Sequence, residues 1–141
     1  MKNKRYEEYI ETVYGLVKKK GTARTNDIAK NMNVKPSTAT EMLQKMGKEG
    51  YIRYTKYRGV ILTEKGRKIG KKLEEKHEIL KNFFISIGVE EELADEDACK
   101  IEHIASNKTL NRLTKFFEFI QKNELLKEFE THENRGDRGR D

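Results

Sequence analysis

The sequence lacks the features that define secreted and membrane-spanning proteins. Among its 141 residues there is one cysteine, Cys99, so no disulfide can form within the chain. No apolar run approaches the roughly 18 residues needed to cross a bilayer, and residues 1–5 contain no apolar segment typical of a secretion signal. We therefore expect a cytoplasmic protein in a reducing compartment, with no membrane partner.

Apolar residues are scarce as well. Hydrophobic residues make up 35% of the chain and charged residues 38%. A chain of this length forms one medium domain or two small ones, and so little apolar material favours a core that a second subunit completes. The composition therefore predicts self-association.

The charges are divided unevenly along the chain. Residues 1–72 contain 19 Lys and Arg against 7 Asp and Glu, whereas the remaining residues contain 11 against 17. Neutralising phosphates supplies most non-specific affinity for DNA, so the basic half suits nucleic acid. The acidic half suits cations or a partner. Scattered, solvated lysines are the alternative explanation for the net charge of +6.

The basic half has the pattern of a helix-turn-helix. Helical spacing predicts a first helix from Tyr6 to Val17, a second capped by Thr25, and a third starting at Pro36, the only proline. The third helix has an apolar side of Ala39, Met42, Leu43 and Met46. Its opposite side carries hydroxyls, an amide and lysines, which is typical of a helix that enters the major groove.

A basic hairpin should follow this third helix. Residues 51–55 and 60–63 have the composition of strands, and the turn from Lys56 to Gly59 is basic. Such a wing would place Lys56 and Arg58 against phosphates or the minor groove, with Tyr54 and Tyr57 beside them, although Tyr54 is equally compatible with the wing's own core. The residues expected to contact DNA are Lys35, Pro36, Ser37, Thr38, Thr40, Gln44, Lys45, Lys56 and Arg58.

The acidic half should be entirely helical. Thr63 is expected to cap a long fourth helix that runs toward Gly88, and further apolar stripes predict helices around residues 93–105 and 110–120. The predicted fold is mainly α, with a winged helix-turn-helix at residues 1–72 and an all-helical dimerisation and metal-binding domain at 73–130. Residues 124–129 would add a short turn before a flexible tail at 131–141.

Three potential metal ligands stand on one side of the predicted fifth helix. Cys99, Glu102 and His103 occupy positions i, i+3 and i+4. A thiolate, a carboxylate and an imidazole suit a divalent first-row transition metal, but three ligands rarely satisfy one. His77 lies within the apolar stripe of the fourth helix and is a candidate, although an inward histidine is often only a core residue.

The first helix offers two further carboxylates. Glu8 and Glu11 are three residues apart and border the apolar side of that helix. Alone, they have the character of surface charges. Together with the other four residues they are less easily explained as surface charges, and a shared metal site is the alternative.

The residues described so far resemble the diphtheria toxin repressor family, in its short manganese transport regulator branch, over residues 5 to about 125. The segments that carry the resemblance are Tyr9-Ile10-Glu11, Asp27-Ile28-Ala29, Val34-Lys35-Pro36-Ser37, Lys56-Tyr57-Arg58-Gly59, Leu62-Thr63, Lys65-Gly66, Lys71, His77-Glu78 and Ile101-Glu102-His103. The resemblance implies a homodimeric, metal-dependent repressor that binds double-stranded operator DNA and controls metal-uptake genes. It places the metal ligands at Glu8, Glu11, His77, Cys99, Glu102 and His103.

This chain departs from the branch pattern at three positions. The manganese branch typically has Asp at the position of Glu8 and Glu at that of Cys99, and many relatives have an acid where this chain has Lys81. Carboxylates suit Mn²⁺, whereas a thiolate shifts the preference toward Fe²⁺, Co²⁺ or Zn²⁺. We therefore expect Mn²⁺ or Fe²⁺ as the activator, with one or two ions per subunit.

Two other classes of function remain open from the residues alone. A winged-helix regulator could sense oxidation through Cys99, or a small molecule. A helical-bundle metalloenzyme or storage protein would also use carboxylates and histidines. We expect no enzyme and no small-molecule substrate, because no nucleophile and base motif is present and a bundle enzyme has no use for a basic hairpin.

Overall fold

A computed structural model describes residues 4–137, in which seven helices and one antiparallel hairpin are found. The chain divides into two compact units, Met1–Glu74 and Glu75–Asp141. The mainly helical fold with one hairpin confirms the predicted fold class. The elements are α1 Lys4–Lys20, α2 Thr25–Met32, α3 Pro36–Lys48, β1 Ile52–Thr55, β2 Gly59–Leu62, α4 Glu64–Ser86, α5 Glu91–Ile104, α6 Asn107–Lys122 and α7 Leu125–Asp137.

The first unit is built around one apolar core. Its fully buried side chains come from α1, α2, α3 and both strands, and Tyr6 packs edge-on against Tyr51 with 5.7 Å between ring centroids. Burying side chains of this kind contributes about 1.5–3 kcal/mol each, so α3 is held by its apolar side. The largest fully buried side chains of this core are Tyr9, Ile10, Val13, Ile28, Leu43, Met46, Ile52 and Val60.

The start of α3 at Pro36 follows the sequence prediction, but the start of α2 does not. Asn33 adopts the left-handed conformation (φ 56°) and Pro36 occupies the first turn of α3. Thr25 was expected to cap α2. It is instead the first helical residue, and Arg24 is the N-cap without a side-chain cap. The reason is that Ala23 pairs with the hairpin, which keeps the chain extended through Arg24.

The hairpin is joined to the helix-turn-helix through its second strand. β1 and β2 pair in the register Ile52 with Leu62 and Thr55 with Gly59. The amide of Val60 donates to the carbonyl of Ala23 at 2.7 Å. At Gly59 (φ 70°) an added Cβ would lie 2.7 Å from that same carbonyl oxygen, so only glycine lets the segments approach this closely.

Two hydrogen bonds of the Thr63 hydroxyl fix the start of α4. The Thr63 hydroxyl accepts a hydrogen bond from the amide of Gly66 at 3.2 Å and donates one to the carbonyl of Gly50 at 2.6 Å. Thr63 therefore caps α4, as predicted.

The second unit has a smaller core. Leu80, Ala98 and Leu110 are buried together, and Phe83 meets Phe117 edge-on with 5.2 Å between ring centroids. Ser106 caps α6 by accepting a hydrogen bond from the amide of Thr109. Several large apolar side chains of this unit remain exposed, which a self-contained core does not explain. They are Ile85, Leu93, Ile104, Phe116, Phe119 and Phe129.

The last helix is longer than predicted. We expected a short turn over residues 124–129, but α7 extends to Asp137. Its length follows from good helix formers such as Leu, Lys and Glu, with a glycine only at position 136. The rest of the predicted tail, 138–141, lies outside the described residues. None of the described helices is both long enough and apolar enough to cross a membrane.

Candidate metal centre and DNA-binding surface

The potential metal ligands of the second unit meet where α4 and α5 pack together. The ligand atoms of Cys99, Glu102 and His103 lie within 4.8 Å of one another. From α4, His77 places Nδ1 3.6 Å from Oε2 of Glu102. On the other side, Nε2 of His103 lies 3.4 Å from Oε1 of Glu102. The helical spacing and the inward position of His77 therefore bring these four side chains together.

The carboxylate at the centre of this cluster is removed from water. The Glu102 side chain is 0% exposed, and His77 and His103 are 14% and 7% exposed. The buried carboxylate of Glu102 raises the pKa of His77 to about 9, and Asp95 contributes in the same direction, whereas burial opposes the shift. A buried negative charge is stable only beside positive charge, and at neutral pH the His77 imidazolium supplies it.

The chemistry of these side chains fits a transition metal. Two imidazoles, a carboxylate and an accessible thiol are ligands of divalent first-row ions. A divalent cation would supply the positive charge that Glu102 requires, in place of the imidazolium proton.

Sequence reasoning missed Asp95, which is the shortest polar contact of His77. Nε2 of His77 lies 2.7 Å from Oδ1 of Asp95. Lys81 places its ammonium 3.7 Å from the same oxygen and 3.6 Å from Oε1 of Glu91. One signal could have identified Asp95: it precedes Cys99 by one helical turn and so lies on the same side of α5.

Glu8 and Glu11 belong to α1, in the first unit. Both are half-buried, and Glu8 accepts a hydrogen bond from Arg5 at 2.8 Å. Their role as metal ligands remains a prediction from the sequence.

The predicted reading surface on α3 is open to solvent. Lys35, Pro36, Ser37, Thr38, Gln44 and Lys45 are exposed. Thr40 is half-buried, and its hydroxyl donates to the carbonyl of Pro36 at 2.9 Å. Thr40 can therefore offer a base only its acceptor lone pairs and its methyl group.

The hairpin presents a basic and aromatic tip. Lys56, Tyr57 and Arg58 are exposed, and the Lys56 ammonium lies 5.7 Å from the centroid of the Tyr57 ring. Arg24, which sequence reasoning did not single out, donates from Nη2 to the carbonyl of Tyr57 at 3.1 Å. This bond ties the tip of the wing to the start of α2. Arg24 had no distinguishing signal in the sequence, because its partner is a backbone carbonyl.

The fold and the site together define a winged-helix DNA-binding regulator with a metal-binding helical unit. Residues 1–60 match the iron dependent repressor N-terminal DNA binding domain, and residues 63–128 match the iron dependent repressor metal binding and dimerisation domain. The chain belongs to the iron dependent repressor family, which confirms the resemblance found in the sequence.

Similar proteins agree with this membership. The HTH-type transcriptional regulator MntR of Bacillus pumilus (strain SAFR-032) is 45% identical over 118 residues, covering 84% of this chain and 82% of that protein. The regulator of the same name from Bacillus subtilis (strain 168) is 43% identical over 121 residues, covering 86% and 85%. The chain is thus a metal-dependent transcriptional repressor by family.

Solved structures share the fold. The metal-dependent transcriptional regulator MtsR matches with a TM-score of 0.71 at 27% identity, over 81% of this chain and 54% of that one. The manganese regulator SloR matches with a TM-score of 0.67 at 28% identity, over 84% and 55%. This chain therefore spans about half the length of those two proteins.

Proposed function

We propose that this protein is a homodimeric repressor of metal-uptake genes that binds operator DNA when Mn²⁺ or Fe²⁺ occupies the cluster around Glu102. The observation that carries the proposal is the buried Glu102 carboxylate between His77 and His103, beside Cys99. The regulators named above are similar to this chain along most of its length, and SloR is described as a manganese regulator. We propose that Glu8 and Glu11 complete the ligand set.

The surroundings of Lys81 support a proposal for the number of ions per subunit. Its ammonium lies beside the carboxylates of Asp95 and Glu91, and Asp95 is also engaged by His77. Two carboxylates already balanced by cations are poor ligands for a second divalent ion. We therefore propose one ion per subunit, bound by a mixed set in which the thiol of Cys99 favours Fe²⁺ and the carboxylates favour Mn²⁺.

DNA binding is assigned to α3 and the wing. We propose that Ser37, Thr38, Thr40 and Gln44 face base edges, with Pro36 setting the start of α3. Lys35, Lys45, Lys56 and Arg58 face phosphates. This assignment is supported by the exposure of these side chains, Thr40 being partly buried, and by the basic charge of the first unit.

The proposed mechanism couples the free energy of metal binding to the free energy of DNA binding. If the metal-bound form binds DNA more tightly, DNA must tighten metal binding by the same factor. The two functions share one continuous element, since α4 begins directly after the wing and carries His77.

The exposed apolar side chains of the second unit suit a dimer interface. Ile104 is 71% exposed and Phe116 56% exposed, although both lie on helices whose other sides are buried. We expect Phe116→Glu to sediment as a monomer at micromolar concentration where the wild type sediments as a dimer, because a carboxylate buried without a partner costs several kcal/mol. Asn111→Glu places the same charge at an exposed polar position of α6 and should remain dimeric. A dimeric Phe116→Glu would exclude this surface.

The activating metal is identified by titrating chelator-treated protein into labelled DNA and following fluorescence anisotropy. The DNA comes from upstream of a metal-transporter gene, and Mn²⁺, anaerobic Fe²⁺ and Zn²⁺ are added separately. We expect the activating ion to raise DNA affinity at least about tenfold, which is roughly 1.4 kcal/mol of coupling. Equal affinity with and without every metal would contradict the proposal.

The accessible thiol supports a second candidate function. Cys99 is exposed, so an oxidant can reach it. If peroxide releases DNA from the wild type but not from Cys99→Ser, and chelators have no effect, the protein senses oxidation instead of metal.

A further inference from the structure

On the side of His77 that faces away from Glu102, a series of charged contacts joins α4 to α5. His77 and Lys81 are one turn apart on α4, and Glu91 and Asp95 are one turn apart on α5. Oδ1 of Asp95 lies 2.7 Å from Nε2 of His77 and 3.7 Å from the Lys81 ammonium. Lys81 is also 3.6 Å from Glu91. The two helices are therefore connected by cations on one and carboxylates on the other.

The two nitrogens of His77 face different groups. Nε2 meets Asp95, whose side chain is 52% exposed, whereas Nδ1 faces the fully buried Glu102. A carboxylate accepts and cannot donate when ionised, so the nitrogen that meets Asp95 keeps its proton. Nδ1 is then the nitrogen whose lone pair becomes available beside Glu102.

We propose that Asp95 is a positioning residue of the metal site: it holds the Nε2 proton of His77, so that Nδ1 is the ligand atom, and Lys81 fixes Asp95 in that place. The proposal rests on the proposed metal-dependent function. Histidines that bind metals generally donate their other ring N–H to a carboxylate, carbonyl or water, and losing that partner costs 10–100-fold in metal affinity. Asp95 would otherwise be an exposed carboxylate free to change rotamer, and the ammonium of Lys81, whose side chain is 20% exposed, restrains it.

The test compares Asp95→Ala with Glu91→Gln. Both substitutions remove one negative charge from the side of α5 that faces Lys81, but only Asp95 touches His77. Zn²⁺ affinity is measured by competition with a chelating dye, and imidazole ¹H–¹⁵N correlations are recorded with and without Zn²⁺. We expect Asp95→Ala to weaken Zn²⁺ binding by about 10–100-fold and Glu91→Gln by less than about threefold.

The imidazole spectra separate positioning from simple loss of charge. In the wild type, His77 should bind Zn²⁺ through Nδ1 and show an Nε2 proton that exchanges slowly with water, also without metal. In Asp95→Ala that proton should exchange rapidly, and coordination should divide between the two nitrogens. Asp95→Asn keeps an oxygen acceptor and should retain part of the protection of the Nε2 proton from exchange. This variant tests the proposal if the alanine variant is poorly folded.

The two hypotheses fail differently. If Asp95→Ala binds Zn²⁺ like the wild type, with Nδ1 coordinated and the Nε2 proton still protected, the positioning role is overturned and the metal-dependent function stands. If the wild type binds no Zn²⁺, Mn²⁺ or Fe²⁺, the metal-dependent function itself is overturned.

Discussion

Replacing Glu102 by glutamine is expected to abolish the metal dependence of DNA binding. Glu102 is fully buried, and its two oxygens face His77 and His103 at 3.6 and 3.4 Å. Glutamine keeps the shape of the side chain but removes the negative charge that a divalent cation requires. Because the Glu102 side chain is 0% exposed, its attraction to a cation is weakly screened by solvent, and losing that attraction should have a large effect.

The expected magnitude exceeds that for any other single substitution considered above. Loss of a contact that only orients a ligand costs 10–100-fold in metal affinity, so loss of a ligand should cost at least about 100-fold. The metal-induced gain in DNA affinity, at least about tenfold in the wild type, should then disappear at metal concentrations that saturate the wild type. Calorimetric metal titration and DNA anisotropy measure the two effects.

A neighbouring exposed carboxylate provides the control. Glu96→Gln removes the same charge from α5 at an exposed position and should leave metal affinity and DNA affinity within about twofold of wild type. Circular dichroism and thermal unfolding would test whether Glu102→Gln remains folded without metal. If folded Glu102→Gln retained a wild-type response to metal, Glu102 would not be a ligand.

The first unit was largely predictable because its boundaries depend on local chemistry. Pro36 begins α3, Asn33 provides the left-handed turn before it, and the Thr63 hydroxyl caps α4. Each of these residues acts on the backbone within a few positions of itself. The start of α2 at Thr25 was not predictable in this way, because Ala23 is held extended by the distant strand β2.

The candidate site was predictable only where its residues share a helix or an apolar stripe. Helical spacing alone was enough to group Cys99, Glu102 and His103. His77 became a candidate because it lies among apolar residues of the fourth helix. Asp95 is different, because its partner is on another helix and the register between α4 and α5 depends on packing. Its spacing from Cys99 places Asp95 on the same side of α5, but only the structure brings its carboxylate beside His77.

The apolar residues of α6 fall into two groups, one buried within the second unit and one exposed. Leu110 and Phe117 of α6 are buried in the second unit, whereas Phe116 and Phe119 are 56% and 55% exposed. In the sequence Leu110, Phe116 and Phe117 are equivalent members of one apolar pattern. Periodicity shows that a side is apolar, but only packing distinguishes a side covered by the same chain from one that another molecule must cover.

The raised pKa of His77 predicts opposite pH dependences for folding and for metal binding. Without metal, a histidine with a pKa of about 9, compared with 6.5 when unfolded, binds its proton more tightly in the folded state. Its contribution to stability is fully present below pH 6.5 and is lost as pH rises through 9. Across that window the free energy of unfolding of the metal-free protein should fall by roughly 3 kcal/mol from this group.

Metal binding should respond in the other direction, because His77 must release a proton to become a ligand. Below pH 9, metal affinity should therefore rise about tenfold for each pH unit from His77 alone. As a proposed ligand, the thiol of Cys99 would also release a proton on binding metal, and Cys99→Ser removes that contribution. Between pH 7 and 8 this variant should show a slope of at least about one in log affinity against pH, because His77 alone contributes one proton.

Calorimetry in buffers of different ionisation enthalpy counts the same proton directly. We expect Cys99→Ser to release at least about one proton per metal ion bound at pH 7.5, the one from His77. His132→Gln replaces an exposed histidine of α7. It should change neither the pH dependence of stability nor that of metal affinity. A metal affinity that is independent of pH in Cys99→Ser would mean that His77 is already neutral or is not a ligand. The opposite slopes have one origin, because the proton that stabilises buried Glu102 without metal is the proton that a metal must displace.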